Sequence, residues 1–140
     1  MTMVSDQPVR IAFVDDDENL LSSHRRNFAR LAPHWQGLYF NNPQTALAEI
    51  SGDPDVTAAI LDIHMPIITG LELAAKLRNL RSDLIIVMLT GYADLQSALT
   101  AVNEFGVFRF YPKPTALKTV LEVIETEIAR KRGESRDTIP

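Results

Sequence analysis

The sequence predicts an α/β fold built on a parallel sheet, and three observations carry that prediction. Apolar, β-branched runs alternate with helical patterns five times along the 140 residues, with no internal repeat. The connections between them are short, as in strand–helix–strand units. One run, Leu84 to Leu89 (LIIVML), is apolar throughout, as suits a strand covered on both faces.

Each element follows from its residues. Val9 to Val14 is rich in β-branched and aromatic residues and reads as the first strand. From Asp17 to Leu31, Leu20, Leu21, Phe28 and Leu31 recur near helical spacing, and Pro33 closes that helix. Trp35 to Phe40 is the second strand. Asn42-Pro43 opens a second helix as cap and first-turn proline, and Gly52-Asp53-Pro54 ends it. Thr57 to Leu61 is the third strand. Thr69-Gly70-Leu71-Glu72 fits a capping box, so a helix runs to about Leu80. Leu84 to Leu89 is the fourth strand. Leu95, Ala98, Leu99 and Val102 form the stripe of a fourth helix that Gly106 stops, and Val107 to Tyr111 is the fifth strand. Leu117, Val120, Leu121, Ile124 and Ile128 mark the fifth helix, and Gly133 to Pro140 is a polar tail or the start of a linker. Right-handed crossovers leave few topologies. The choice is a flavodoxin-like doubly wound sheet of five parallel strands in order 2-1-3-4-5, with five helices on both faces.

Composition narrows the function classes. The length suits one domain with one sizeable core. The net charge of -4, with no basic run before the C-terminal region, argues against a nucleic-acid surface. The absence of cysteine removes disulfides, thiolate metal sites and cysteine nucleophiles together. No apolar run reaches the roughly 18 residues of a membrane span, and Met1 to Pro8 lacks the apolar core of a signal peptide. The chain reads as cytoplasmic.

The polar residues that interrupt the strand ends share a place. Asp15 and Asp16 follow strand one, Asp62 ends strand three, Thr90 ends strand four and Lys113 follows strand five. All lie at C-terminal strand ends, on the sheet edge where ligands of open α/β folds bind, near the switch in strand order. Three close carboxylates repel one another, and a hard divalent cation held by oxygens, Mg2+, relieves this. With a cation, an ammonium and a hydroxyl gathered there, a phosphoryl group is the expected guest. Its transfer depends mostly on positioning and charge stabilisation, and an aspartate is a known nucleophile for it.

At this point the residues resemble the receiver domain of two-component response regulators. Phe13-Val14-Asp15-Asp16-Asp17 resembles the family's acidic pair, and Asp62-Ile63-His64-Met65-Pro66 with Gly70 its phosphoacceptor loop. Leu89-Thr90-Gly91 resembles its hydroxyl switch followed by a small residue, and Tyr111-Pro112-Lys113-Pro114 its lysine-proline element. The resemblance covers residues 8–132. It implies that Asp62 takes phosphate from a histidine kinase or phosphotransfer protein. It implies that Asp16, Asp62 and the His64 backbone carbonyl bind Mg2+ directly, with Asp15 acting through water. Thr90 and Lys113 would contact the phosphoryl group, and the Lys113-Pro114 bond would be cis. Gly91, Tyr92 and Pro114 would flank the site, with His64 and Tyr92 limiting access of the attacking water and so setting the phosphate lifetime. The family's aromatic switch falls on Phe110, which has no hydroxyl, so signalling there would rest on packing. The face made by the fourth helix, fifth strand and fifth helix would carry the output to a downstream effector domain or protein, and could also carry a homodimer. Phe108 to Pro114 is also similar to receivers attached to cyclic-dinucleotide phosphodiesterase modules.

Other residues take plainer readings. Asp17 is read as the cap of the first helix in preference to a third ligand. His24 is a core-edge histidine, His34 has no role and Trp35 packs at the sheet edge. Arg130-Lys131-Arg132 is a solvated helix end that complements the helix dipole. Two rival functions stay in view. An aspartate-nucleophile phosphatase of the haloacid-dehalogenase type would want Asp-x-Asp-x-Thr/Val after strand one, where this chain has Asp15-Asp16-Asp17-Glu18-Asn19. A pseudo-receiver that never takes phosphate usually lacks an acid or the lysine, and this chain keeps them.

Overall fold

Five parallel strands in the order β2-β1-β3-β4-β5 form one sheet among the described residues. The structure is a computed structural model that describes residues 9–63, 65, 68–90, 99, 103–104 and 106–137, with side chains to residue 133. The strands are β1 (Arg10–Val14), β2 (Gln36–Phe40), β3 (Val56–Asp62), β4 (Ile85–Thr90) and β5 (Arg109–Pro112). The helices are α1 (Glu18–Leu31), α2 (Pro43–Ser51), α3 (Gly70–Leu80) and the C-terminal helix α4 (Leu117–Asp137). The fourth helix expected from the sequence falls mostly outside the described residues; Leu99, Asn103 and Glu104 within it are helical. No helix among the described residues is long and apolar enough to cross a membrane.

Strand alternation sorts the core into two layers. On β1, Ala12 and Val14 face one cluster, with Ala46 and Ile50 of α2 and Leu73, Ala74 and Leu77 of α3. Ile11 and Phe13 face the other, with Leu21 and Phe28 of α1 and Val120, Leu121 and Ile124 of α4. Burial on both faces explains why β4 is apolar up to Thr90, with every residue buried.

Caps set where the helices begin. Asp17 caps α1 through the N–H groups of Asn19 and Leu20, so the helix starts one residue later than its pattern. Asn42 caps α2 with Pro43 in its first turn. Thr69 and Glu72 form the expected capping box of α3: the Thr69 N–H donates to Glu72 Oε1 at 2.9 Å and the Glu72 N–H to Thr69 Oγ1 at 3.2 Å.

Two boundaries differ from the sequence reading by two residues or more. β5 begins at Arg109, two residues after Val107, because Val107 and Phe108 only approach the ladder; the Phe108 N–H donates to Ile86 O at 2.7 Å. α4 runs on to Asp137, five residues into the segment expected to be a tail. Gly133 costs a helix about 1 kcal/mol, and no proline follows within reach to stop it. Arg130 to Arg132 are therefore not the helix end. Arg130 instead forks onto the buried Glu127 carboxylate at 2.7 and 2.9 Å, and Lys131 Nζ donates to Asp83 O.

Gly70 locks α3 against the strand that ends in Asp62. Its N–H donates to Ile63 O at 2.8 Å. A Cβ there would lie 2.1 Å from Asp62 O and 2.8 Å from Ile63 Cα, so no other residue fits without moving backbone. Gly70→Ala should cost about 2–4 kcal/mol of stability by overpacking. Urea unfolding checks this; a loss under about 1 kcal/mol would show that the loop yields freely.

Candidate functional site

Ladder bonds run past the strand ends and aim the polar residues. The Asp15 N–H donates to Phe40 O at 3.1 Å, the Ile63 N–H to Leu89 O at 3.2 Å and the Lys113 N–H to Thr90 O at 2.7 Å. In register, Val14 pairs with Leu61, Asp62 with Leu89 and Thr90 with Pro112. Asp15, Asp62, Thr90 and Lys113 are thus set along one edge of a parallel sheet by backbone bonding alone.

The side chains then meet. Lys113 Nζ lies 2.8 Å from Asp62 Oδ1 and 3.3 Å from Asp15 Oδ2. The other Asp15 oxygen, Oδ1, accepts the Asp17 N–H at 2.9 Å. Asp15 is 3% exposed and Asp62 6%, whereas Asp16 is open to solvent. Asp15, Asp16 and Asp62 each offer a carboxylate oxygen, and these lie within 4.8 Å of one another. Two buried acids and one exposed acid, close together and all oxygen, form the donor set a hard divalent cation takes, with water completing its shell. The residues present fit Mg2+.

The electrostatics follow from burial. Desolvation pushes the Asp15 carboxyl above its ordinary value, and the Asp62 charge adds to this against the Asp17 N–H and Lys113. Burial alone would lower Lys113, but its hydrogen bond to Asp62 and the Asp15 charge outweigh it, and its pKa rises. His24, whose ring lies 5.2 Å from that of Phe13, is pushed down by burial, with the Lys113 charge adding. It is the core-edge residue expected, and Trp35 packs partly buried at the sheet edge.

The remaining sequence-predicted residues divide. Thr90 ends β4 at 4% exposed, beside the acids in the ladder. The Lys113-Pro114 peptide bond is cis. Phe110 is half-buried against the layer of α2 and α3, while Tyr111 packs on the opposite layer. His64, Gly91 and Tyr92 lie outside the described residues. The Asp17 N–H was legible only as part of a cap; its grip on Asp15 carries no sequence signal beyond the i, i+2 spacing of an Asx turn.

The chain is also similar to known proteins along most of its length. The model of the response regulator receiver domain matches residues 11–125. The response regulator MprA of Mycolicibacterium vanbaalenii is 36% identical over 142 residues, covering 95% of this chain and 53% of that protein. The chain therefore spans about half the length of the curated relatives it matches. Among solved structures, a CheY-like response regulator receiver domain protein from Methanospirillum hungatei JF-1 has a TM-score of 0.81 at 28% identity, over 91% of this chain and 98% of that one. The response regulator protein TrrA of Thermotoga maritima, solved in complex with Mg2+-BeF, has a TM-score of 0.72 at 26% identity, over 84% and 96%.

A raised carboxyl pKa destabilises the fold above that pKa, and the penalty fades as pH falls through the raised value toward the ordinary 3.8. Asp15→Asn should therefore stabilise the metal-free protein at pH 7 by about 0.5–2 kcal/mol, a common gain where site residues are neutralised. The gain should shrink toward zero by about pH 3.8. Thermal unfolding across pH in EDTA checks this; destabilisation at pH 7 would contradict it.

Proposed function

This chain belongs to the response regulator receiver domain family, and from that premise we propose that Asp62 accepts a phosphoryl group from a phosphohistidine of a sensor kinase or phosphotransfer protein. Lys113 carries the reading: one ammonium bridges the two buried carboxylates at the ends of adjacent parallel strands. With Oδ1 of Asp62 engaged by Lys113, the second oxygen forms the new P–O bond as the P–N bond of the donor breaks. Lys113 stays beside Asp62 and faces the phosphoryl oxygens, and the Thr90 hydroxyl, one ladder step away, donates to them. Asp16 and Asp62, with Asp15 through water and the His64 carbonyl, would hold Mg2+, which when bound supplies positive charge to those oxygens. The chain catalyses only its own phosphorylation and dephosphorylation in this reading, as a cytoplasmic signalling unit over residues 8–132.

The signal leaves through packing. Phe110 lies on edge strand β5, three residues before Lys113, against the layer of α2 and α3. Lacking a hydroxyl, it reports a shift at Lys113 by repacking, and the β5–α4 side passes the change to an effector domain or a separate partner.

Incubation with Mg2+ and acetyl phosphate, read by intact mass, tests the reading. Wild type should gain one phosphoryl group; Asp62→Asn, and wild type in EDTA, should gain none. No gain by wild type, or an equal gain by Asp62→Asn, would contradict it.

A further inference from the structure

We propose that Asp17 is a positioning residue: by clamping the first turn of α1, it holds its own N–H where that group fixes the orientation of Asp15. This rests on the cation site under Proposed function and adds a residue to it. Two turns run in series here. The Asp17 N–H donates to Asp15 Oδ1 at 2.9 Å, and Asp17 Oδ1 accepts from the N–H groups of Asn19 and Leu20 at 2.9 and 3.2 Å. Asp17 O also accepts the Leu21 N–H at 3.0 Å, so three bonds tie this residue to the helix.

The consequence for Asp15 is geometric. Its Oδ1 is held from the chain side by Asp17 and its Oδ2 from the β5 side by Lys113. Two donors on opposite oxygens fix the plane of the carboxylate. Loosening either lets the group rotate toward or away from Asp16 and Asp62. Glu18 adds a second anchor, since the Asn41 side-chain amide donates to its carboxylate and ties the start of α1 to the end of β2. Among the described residues, Asp17 is not in the acidic group whose oxygens lie within 4.8 Å of one another. Its charge is committed to the helix N-terminus, so its effect on a cation passes through Asp15.

The test compares caps. Mg2+ affinity by calorimetry and Tm are measured for wild type, Asp17→Ala, Asp17→Asn and Asn42→Ala. Asn42→Ala removes the equivalent cap of α2, whose side chain accepts from Gln44 and Thr45, and serves as a matched loss of a cap that does not hold Asp15. Asp17→Ala should weaken Mg2+ about tenfold, as loss of a group that orients a ligand does, with a Tm loss of roughly 3–5 °C. Asp17→Asn, which keeps a capping oxygen, should stay within about threefold of wild type. Asn42→Ala should lose similar Tm with Mg2+ affinity within about threefold. The inference is overturned if Asp17→Ala binds as wild type does, if Asp17→Asn is as weak as Asp17→Ala, or if Asn42→Ala is equally weak. A wild type that binds no Mg2+ overturns the cation reading and the inference with it; a wild type that binds, matched by Asp17→Ala, overturns the inference alone.

Discussion

Two carboxylates buried side by side, with one lysine between them, form the constraint on which the rest of the structure depends. Asp15 and Asp62 end adjacent parallel strands and are almost fully out of water. Buried like charges are tolerable only with a counter-ion and hydrogen bonds. Lys113 supplies both, and it can do so only because β5 lies beside β4 in the same direction and its chain continues from Thr90 O. The doubly wound order thus brings the lysine that follows β5 to the acids at the ends of β1 and β3.

The two edges of the sheet divide the labour. At the N-terminal edge, arginines satisfy carbonyls. Arg81 donates to Ile50 O, Asp53 O and Val56 O, and pairs with Asp83 at 3.0 and 3.1 Å. Arg78 donates to Leu84 O and Gly106 O, tying α3 to the approach of β5, where Gly106 has φ 67°. At the C-terminal edge like charges are brought together instead. Asp15 is held above its ordinary pKa by burial, and Lys113 serves two acids at once. Stability concentrated at one edge supports strain at the other, where a ligand can relieve it.

Most of this was legible in the sequence because it is local. The apolar run of β4, the Asn42-Pro43 start and the Thr69 to Glu72 box each act within a few residues, and their spacing alone locates the strand ends that carry Asp15, Asp62, Thr90 and Lys113. What escaped was long-range or permissive. Nothing near Arg78 or Arg81 in the chain announces carbonyls 25 to 31 residues away. Gly133 reads as a helix stop but only lowers helix propensity, and α4 passes through it. The cap at Asp17 was readable; its second bond, from its N–H to Asp15 Oδ1, depends on how the chain turns between them.

The coupling between Lys113 and Asp62 tests the central claim most directly. A double-mutant cycle of Lys113→Met and Asp62→Asn, followed by urea unfolding in EDTA, isolates it. A favourable coupling of at least about 1 kcal/mol is expected, with Lys113→Met costly in wild type and less costly once Asp62 is neutral, when Asp15 alone still faces the lysine. An equal cost in both backgrounds would mean that the lysine is not the counter-ion of the buried acids.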